Sequence, residues 1–208
     1  MATRNGRRTQ SSYHSPLRAR QAAETRRTVL SAATRLFIER GWAATTLAAV
    51  AAEAGTAVET VYSAFGSKSG LLIAAIDVAI VGDDDETPLV ERPEFTSLGE
   101  GRRSERMVAA ARIITRALVH AVPLMGALQE ASASDAVSKV RLDAYEADRR
   151  TVILAGLELI LGKPPPETLV DSIWVLASPE VFAKLTEERG WTVDRYEQWL
   201  VQMAGALL

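Results

Sequence analysis

The chain of 208 residues predicts an all-α protein, on three observations. Ala, Leu, Arg and Glu dominate from Gln21 onward. Apolar residues recur at three- and four-residue spacing, with no sustained two-residue alternation rich in β-branched side chains. Glycine, proline and capping hydroxyls punctuate the apolar stripes at helix-length intervals.

Residues 1–20 hold Arg, Ser, Thr and Gln with few apolar side chains, and are expected to form a disordered basic tail. A first helix is expected over 21–40, with Val29, Ala33, Leu36 and Phe37 on one face and Gly41 ending it. Thr45 and Thr46 offer N-cap hydroxyls for a short helix from Leu47 to Glu53. Ala54-Gly55-Thr56 reads as a tight turn before a third helix over 57–63. Phe65-Gly66-Ser67 breaks that helix, and Ser67 caps a fourth that carries Leu71, Leu72, Ala75, Ile76 and Ile80.

Residues 82–101 are linker-like, with Asp83-Asp84-Asp85-Glu86, Pro88 and Pro93, and a short helix is expected near 94–98. A long helix follows over 103–121, and Pro123 is expected to start or kink the next one, to Ser134. Another long helix spans 135–161, stopped by Gly162 and the prolines at 164–166. Further helices run over 167–177, from the cap Ser178-Pro179-Glu180 to Gly190, and over 194–206.

Composition narrows the function. With 48% hydrophobic and 24% charged residues the chain reads as an ordinary globular one. It has no cysteine and two histidines, which excludes disulfide scaffolds, Cys-based metal sites and thiol nucleophiles. There is no glycine-rich phosphate loop, no His-Glu-x-x-His and no Gly-x-Ser-x-Gly, so neither an enzyme nor a metal or cofactor site is expected. The acidic run at 83–86 lacks the alternating spacing of a calcium loop. The longest apolar stretch, 71–81, is interrupted by Asp77 and is too short for a membrane span. The basic start has no apolar segment after it, so a cytoplasmic location is expected.

Charge is unevenly spread. The net charge is −2, yet residues 1–70 hold ten basic and four acidic side chains, a balance of +6 against −8 for the rest. A basic third on an acidic body suits a polyanion partner at one end.

Two short helices joined by a glycine turn and braced by a longer helix form a helix-turn-helix DNA reader. Leu47, Val50, Ala51 and Val61 can close a small core on Leu36 and Phe37, leaving Val58, Glu59, Thr60 and Ser63 for a major groove. The stretch 26–72 is more specific than the generic pattern. Arg26-Arg27 through Leu36-Phe37, Gly41-Trp42, Thr45-Thr46-Leu47, Val50-Ala51, Ala54-Gly55, Thr60-Val61-Tyr62, Phe65 and Ser67-Lys68 resemble the N-terminal domain of the tetracycline-repressor (TetR) family. The run 58–68 and the later Ser178-Pro-Glu-Val-Phe and Glu188-Arg-Gly-Trp191 resemble an actinobacterial branch of it.

That resemblance implies a DNA-binding domain over 21–67 and a ligand-sensing, dimerising domain over 68–208. It also implies a homodimeric repressor that binds a palindromic operator in double-stranded DNA and releases it when a small-molecule effector binds. Thr45, Thr46, Tyr62 and Lys68 would contact phosphates, and Val58, Glu59, Thr60 and Ser63 base edges. Arg26 and Arg27 could lie near the DNA backbone, and Arg7 and Arg8 could enter a minor groove. Ala57, where the family usually has Ser, and Ala64, where His or Tyr is common, remove a cap and a contact. In the body, Met107, His120, Met125, Tyr145 and Trp174 would suit an effector pocket, with Phe95 beside them and Arg112 or Glu130 as further anchors. Ile173, Trp174, Tyr196, Trp199, Leu200 and Met203 would suit a dimer surface. The alternative is a DNA-binding architectural protein with no ligand response.

Overall fold

A computed structural model describes residues 16–82 and 87–208, and every described segment is helical or connects helices. Ten α-helices follow in order: α1 (Pro16–Ala44), α2 (Leu47–Glu53), α3 (Val58–Phe65), α4 (Lys68–Val81), α5 (Pro93–Thr96), α6 (Arg103–Ser132), α7 (Ala136–Leu161), α8 (Glu167–Leu176), α9 (Pro179–Ala183) and α10 (Val193–Leu207). Arg7, Arg8 and the acidic run 83–86 lie outside the described residues.

The expected hydroxyl caps form. Thr46 accepts from the Ala49 amide at 3.1 Å, Ser67 from Gly70 at 2.9 Å and Ser178 from Val181 at 3.2 Å. Asp135 and Thr192 cap α7 and α10 in the same way. Helix α3 starts at Ala57 with no side-chain cap, as its missing hydroxyl requires.

Two boundaries differ from expectation. Helix α1 begins at Pro16, inside the stretch expected to be a tail. Proline at a first helical position loses no intrahelical bond and has its φ already set. Helix α6 runs unbroken through Pro123. That residue is exposed, while Ala121, Leu124 and Met125 around it are buried. The carbonyl that Pro123 leaves without a donor can therefore be hydrated while the packed side holds the helix together. Helix α6 is also long and apolar enough, by length and composition, to cross a membrane, although the sequence showed no uninterrupted apolar run of that length. It is the central helix of this fold, packed on α1, α4, α7 and α10.

The buried core does not divide where the helix-turn-helix unit ends. Leu36 and Phe37 of α1, Val50 and Ala51 of α2, Val61 of α3, and Leu71 and Leu72 of α4 share one cluster with Leu124, Met125 and Leu128 of α6. Polar ties reinforce this at the α6–α7 corner. Asp135 accepts from the Ser69 hydroxyl of α4 at 2.8 Å and from the Ser138 amide at 2.7 Å. Ser138, through its buried side chain and its amide, and then Ser69 hold the Asp135 carboxyl below the usual carboxylate range.

A depressed folded pKa means that this tie stabilises the fold above the unfolded value of about 3.9 and is lost as pH falls through the lower folded value. Thermal melts of Asp135→Asn should lose less stability than wild type on going from about pH 5 to about pH 2. Parallel pH profiles for the two proteins would remove Asp135 from the acid response.

Candidate DNA interface and effector cavity

The helix-turn-helix unit turns on Gly55, whose φ of 64° is the left-handed conformation that the sharp α2–α3 turn needs. The Thr56 amide closes the turn on the Ala51 carbonyl at 2.9 Å. Val61 is fully buried and sets the rotation of α3. Its other face is open: Val58 is 39% exposed, Tyr62 62%, and Glu59, Thr60 and Ser63 are exposed with them. An apolar contact, a carboxylate acceptor and two hydroxyls on one short helix suit thymine methyls, cytosine amino groups and backbone oxygens. Thr46 is exposed, and its hydroxyl hydrogen remains available after it accepts from Ala49.

Thr45 and Lys68 do other work than expected. Thr45 is fully buried, with its hydroxyl 3.0 Å from the Leu36 carbonyl and 2.8 Å from that of Gly41. It ties the end of α1 to the start of α2 and presents nothing to a phosphate. The Lys68 Nζ donates to the Trp42 carbonyl at 2.7 Å and the Thr45 carbonyl at 2.9 Å, and lies 4.0 Å from the centre of the Trp42 ring. Burial lowers its pKa, and Glu130 opposes that shift. With these donors turned inward, Lys68 braces the α1–α2 junction rather than reaching out as a phosphate anchor. The spacing of the motif was legible in sequence, but the direction of these two side chains was not.

Glu130, considered earlier as a pocket anchor, belongs to the same junction. Its carboxylate accepts from the Trp42 amide at 2.7 Å and the Ala43 amide at 3.2 Å. Gly41, at φ 71°, makes the bend that presents those amides, and a Cβ there would lie 3.0 Å from the Glu130 Oε2. A side chain at position 41 would be both strained and in the way of the carboxylate. Elsewhere on the unit, Arg26 lies over the Phe65 ring at 4.6 Å, and Arg35 pairs with Glu53 across α1 and α2.

A cavity of about 760 Å³ opens between α4, α6 and α7, with the segment 87–98 along one side. Its wall is mostly apolar, drawn from Val78 and Val81 of α4, Ile113 and Ile114 of α6, and Val152 and Leu157 of α7. Of the five expected pocket residues only Tyr145 lines it, joined by Phe95. Met107 packs near Gly205 and beside the Phe95 cluster, Met125 fills the core with α1 and α4, and His120 is exposed. Trp174 sits behind the wall, under the Arg149 guanidinium at 5.5 Å. Arg112 is exposed and pairs with Glu197 at 3.3 Å. The cavity draws its wall from several helices far apart in sequence, so it is built from ordinary aliphatic residues that no motif marks.

The expected dimer residues also divide. Ile173, Tyr196 and Leu200 are buried within the chain, and the Tyr196 hydroxyl donates to the Leu176 carbonyl at 2.9 Å. Burial pushes the Tyr196 pKa up. Trp174, Trp199 and Met203 stay partly exposed, beside an exposed Val175. Large apolar residues near a chain end first complete the core of their own subunit.

Comparison with known proteins agrees with this geometry. Residues 29–75 match the family model described as bacterial regulatory proteins, tetR family. Solved structures extend the likeness to the body of the chain. A protein from Syntrophomonas wolfei described as a TetR-family transcriptional regulator is 16% identical, with a TM-score of 0.67 over 88% of this chain and 94% of its own. A transcriptional regulator from Pseudomonas aeruginosa is also 16% identical, with a TM-score of 0.66 over 94% of this chain and 93% of its own. A transcriptional regulator from Saccharomonospora viridis, solved in complex with choline, is 20% identical, with a TM-score of 0.53 over 85% of this chain and 93% of its own. Comparison with curated proteins finds none that matches. The family likeness thus rests on residues 29–75, and the solved structures share the fold of the chain as a whole.

The inward brace makes two expectations. Lys68→Ala should weaken binding to duplex DNA while leaving the slope of log K against log salt unchanged, because no counterion-releasing phosphate contact is lost. A slope shallower by about one would return Lys68 to the phosphate contacts. Thr45→Val should cost about 1–3 kcal/mol in urea unfolding, because it removes a buried donor from the Leu36 and Gly41 carbonyls. Unchanged stability would mean that the hydroxyl is dispensable.

Proposed function

We propose that the chain is a ligand-responsive dimeric repressor, acting in the cytoplasm on a palindromic operator. The observation that carries this reading is the outward face of α3, where Val58, Glu59, Thr60, Tyr62 and Ser63 are exposed while Val61 anchors the helix from behind. Two such helices on a two-fold dimer meet successive major-groove faces about 34–36 Å apart. Thr46 and Tyr62 hold the backbone, and Glu59 selects among base pairs by accepting from cytosine. The partly exposed Trp174, Val175, Trp199 and Met203 on α8 and α10 form the two-fold contact.

Ligand response rests on shared helices. Val78 and Val81 of the cavity wall lie on the helix whose first turn carries Lys68 and Ser69. Those two residues hold the DNA-reading unit to Thr45 and to Asp135. A ligand that fits the cavity better when α4 is displaced therefore favours a second placement of α3 and lowers DNA affinity. The choline carried by the Saccharomonospora viridis protein is a precedent for small-molecule binding in this fold.

Selection of bound duplexes from a random pool at two salt concentrations tests the reading. Enrichment of a palindrome that survives the higher salt is expected. Retention without an enriched sequence would replace it with an architectural, non-specific role, and no retention would overturn DNA binding. Glu59→Ala should relax or change the preferred base at one position per half-site, by about 1–3 kcal/mol in discrimination. An identical selected site would remove Glu59 from base reading.

A further inference from the structure

The cavity wall itself specifies the kind of effector. Resting on the regulator reading above, we propose that the effector is an uncharged, largely apolar molecule carrying one oxygen acceptor, seated so that this oxygen takes a hydrogen bond from Tyr145.

Tyr145 lines the cavity and is 95% buried, yet its hydroxyl has no hydrogen-bond partner among the described residues. Burial is the largest influence on it and pushes its pKa up to about 12, so at neutral pH it is a neutral donor. A donor that the protein leaves open to the cavity favours a ligand that supplies an acceptor over one that does not.

Charge argues in the same direction. Arg141 is bonded to Asp77 of α4 and lies 3.3 Å from Asp148. Arg149 pairs with Glu146, and it donates to the Trp174 carbonyl at 2.9 Å and the Ala177 carbonyl at 3.1 Å. The two guanidinium groups that the α4 and α7 walls bring to the cavity, and the three carboxylates beside them, are thus each engaged in an ion pair within the protein. A carboxylate or an ammonium group entering there would be desolvated without a free counter-charge. Arg26, exposed at the rim over Phe65, remains hydrated and does not reach the apolar wall as a buried counter-charge. The volume of about 760 Å³ falls in the range that holds a drug-sized ligand.

The test uses purified full-length protein and Nile red, a neutral apolar dye with a ring carbonyl, read by fluorescence. Displacement is then compared for 2-dodecanone, dodecanoate and dodecyltrimethylammonium, which share a long alkyl chain and differ in head group. Nile red is expected to bind, and the ketone to displace it at a concentration at least about tenfold lower than either ion. Tyr145→Phe, which keeps the ring, should weaken the ketone about tenfold and leave the two ions unchanged. Ala117→Phe, which fills the cavity from α6, should abolish binding of dye and ketone together. Stronger displacement by dodecanoate or by the ammonium, or an unchanged ketone affinity in Tyr145→Phe, would overturn the proposal. So would failure of Nile red and all three competitors to bind. None of these results depends on DNA, so a failed effector class is distinguishable from a failed regulator reading, which the duplex selection decides separately.

Discussion

The corner between α6 and α7 is the constraint on which the rest of the molecule depends. Helix α2 buries only Val50 and Ala51, and α3 only Val61. These two short helices take their place from the core they share with α1, α4 and α6. Glu130 at the end of α6 and Asp135 at the cap of α7 add directional ties to that packing. One carboxylate holds the Trp42 and Ala43 amides, and the other holds the Ser69 hydroxyl. Charge-assisted bonds of this kind are directional, so they fix an angle more than they add stability. Lys68 closes the arrangement by returning to the Trp42 carbonyl from the first turn of α4.

The same economy recurs at the other end of the body. The last carbonyls of α8 gather at one point, where Arg149 donates to those of Trp174 and Ala177, and Tyr196 to that of Leu176. A guanidinium at a helix C-terminus is favoured by the helix dipole as well as by the bonds themselves. Arg149 is on α7, directly beside the cavity, so one side chain both closes α8 and holds its own charge in a pair with Glu146. The apolar character of the cavity therefore depends on pairings behind its surface as much as on the aliphatic residues that line it.

Much of this fold is readable along the chain. Local signals carry it: a threonine, serine or aspartate followed three residues later by the amide it caps, a glycine where φ must be positive, and a proline at a first helical turn. These signals work because the interactions behind them span three or four residues. Pro123 misleads for the complementary reason. A proline inside a helix is costly in isolation, but exposure of its face and burial of the opposite one let α6 continue. The site is less legible. The α3 face follows from helical periodicity around Val61, whereas the cavity draws single aliphatic residues from α4, α6 and α7, which nothing in their local sequence distinguishes from the other apolar residues of a chain that is 48% hydrophobic.

What the sequence determined alone is the helical content, the caps, the α2–α3 turn and which residues form the outer face of α3, since each depends on near neighbours. Tertiary structure decided which polar groups face inward. Thr45 and Lys68 occupy positions where a phosphate contact was expected, yet both are satisfied by backbone carbonyls of the α1–α2 junction. Glu130 meets amides 87 and 88 residues away, and Tyr145 is left facing a cavity without a partner. A hydrogen-bonding group points to whichever partner the packed fold brings within about 3 Å, and that distance is set by helix packing rather than by position in the chain.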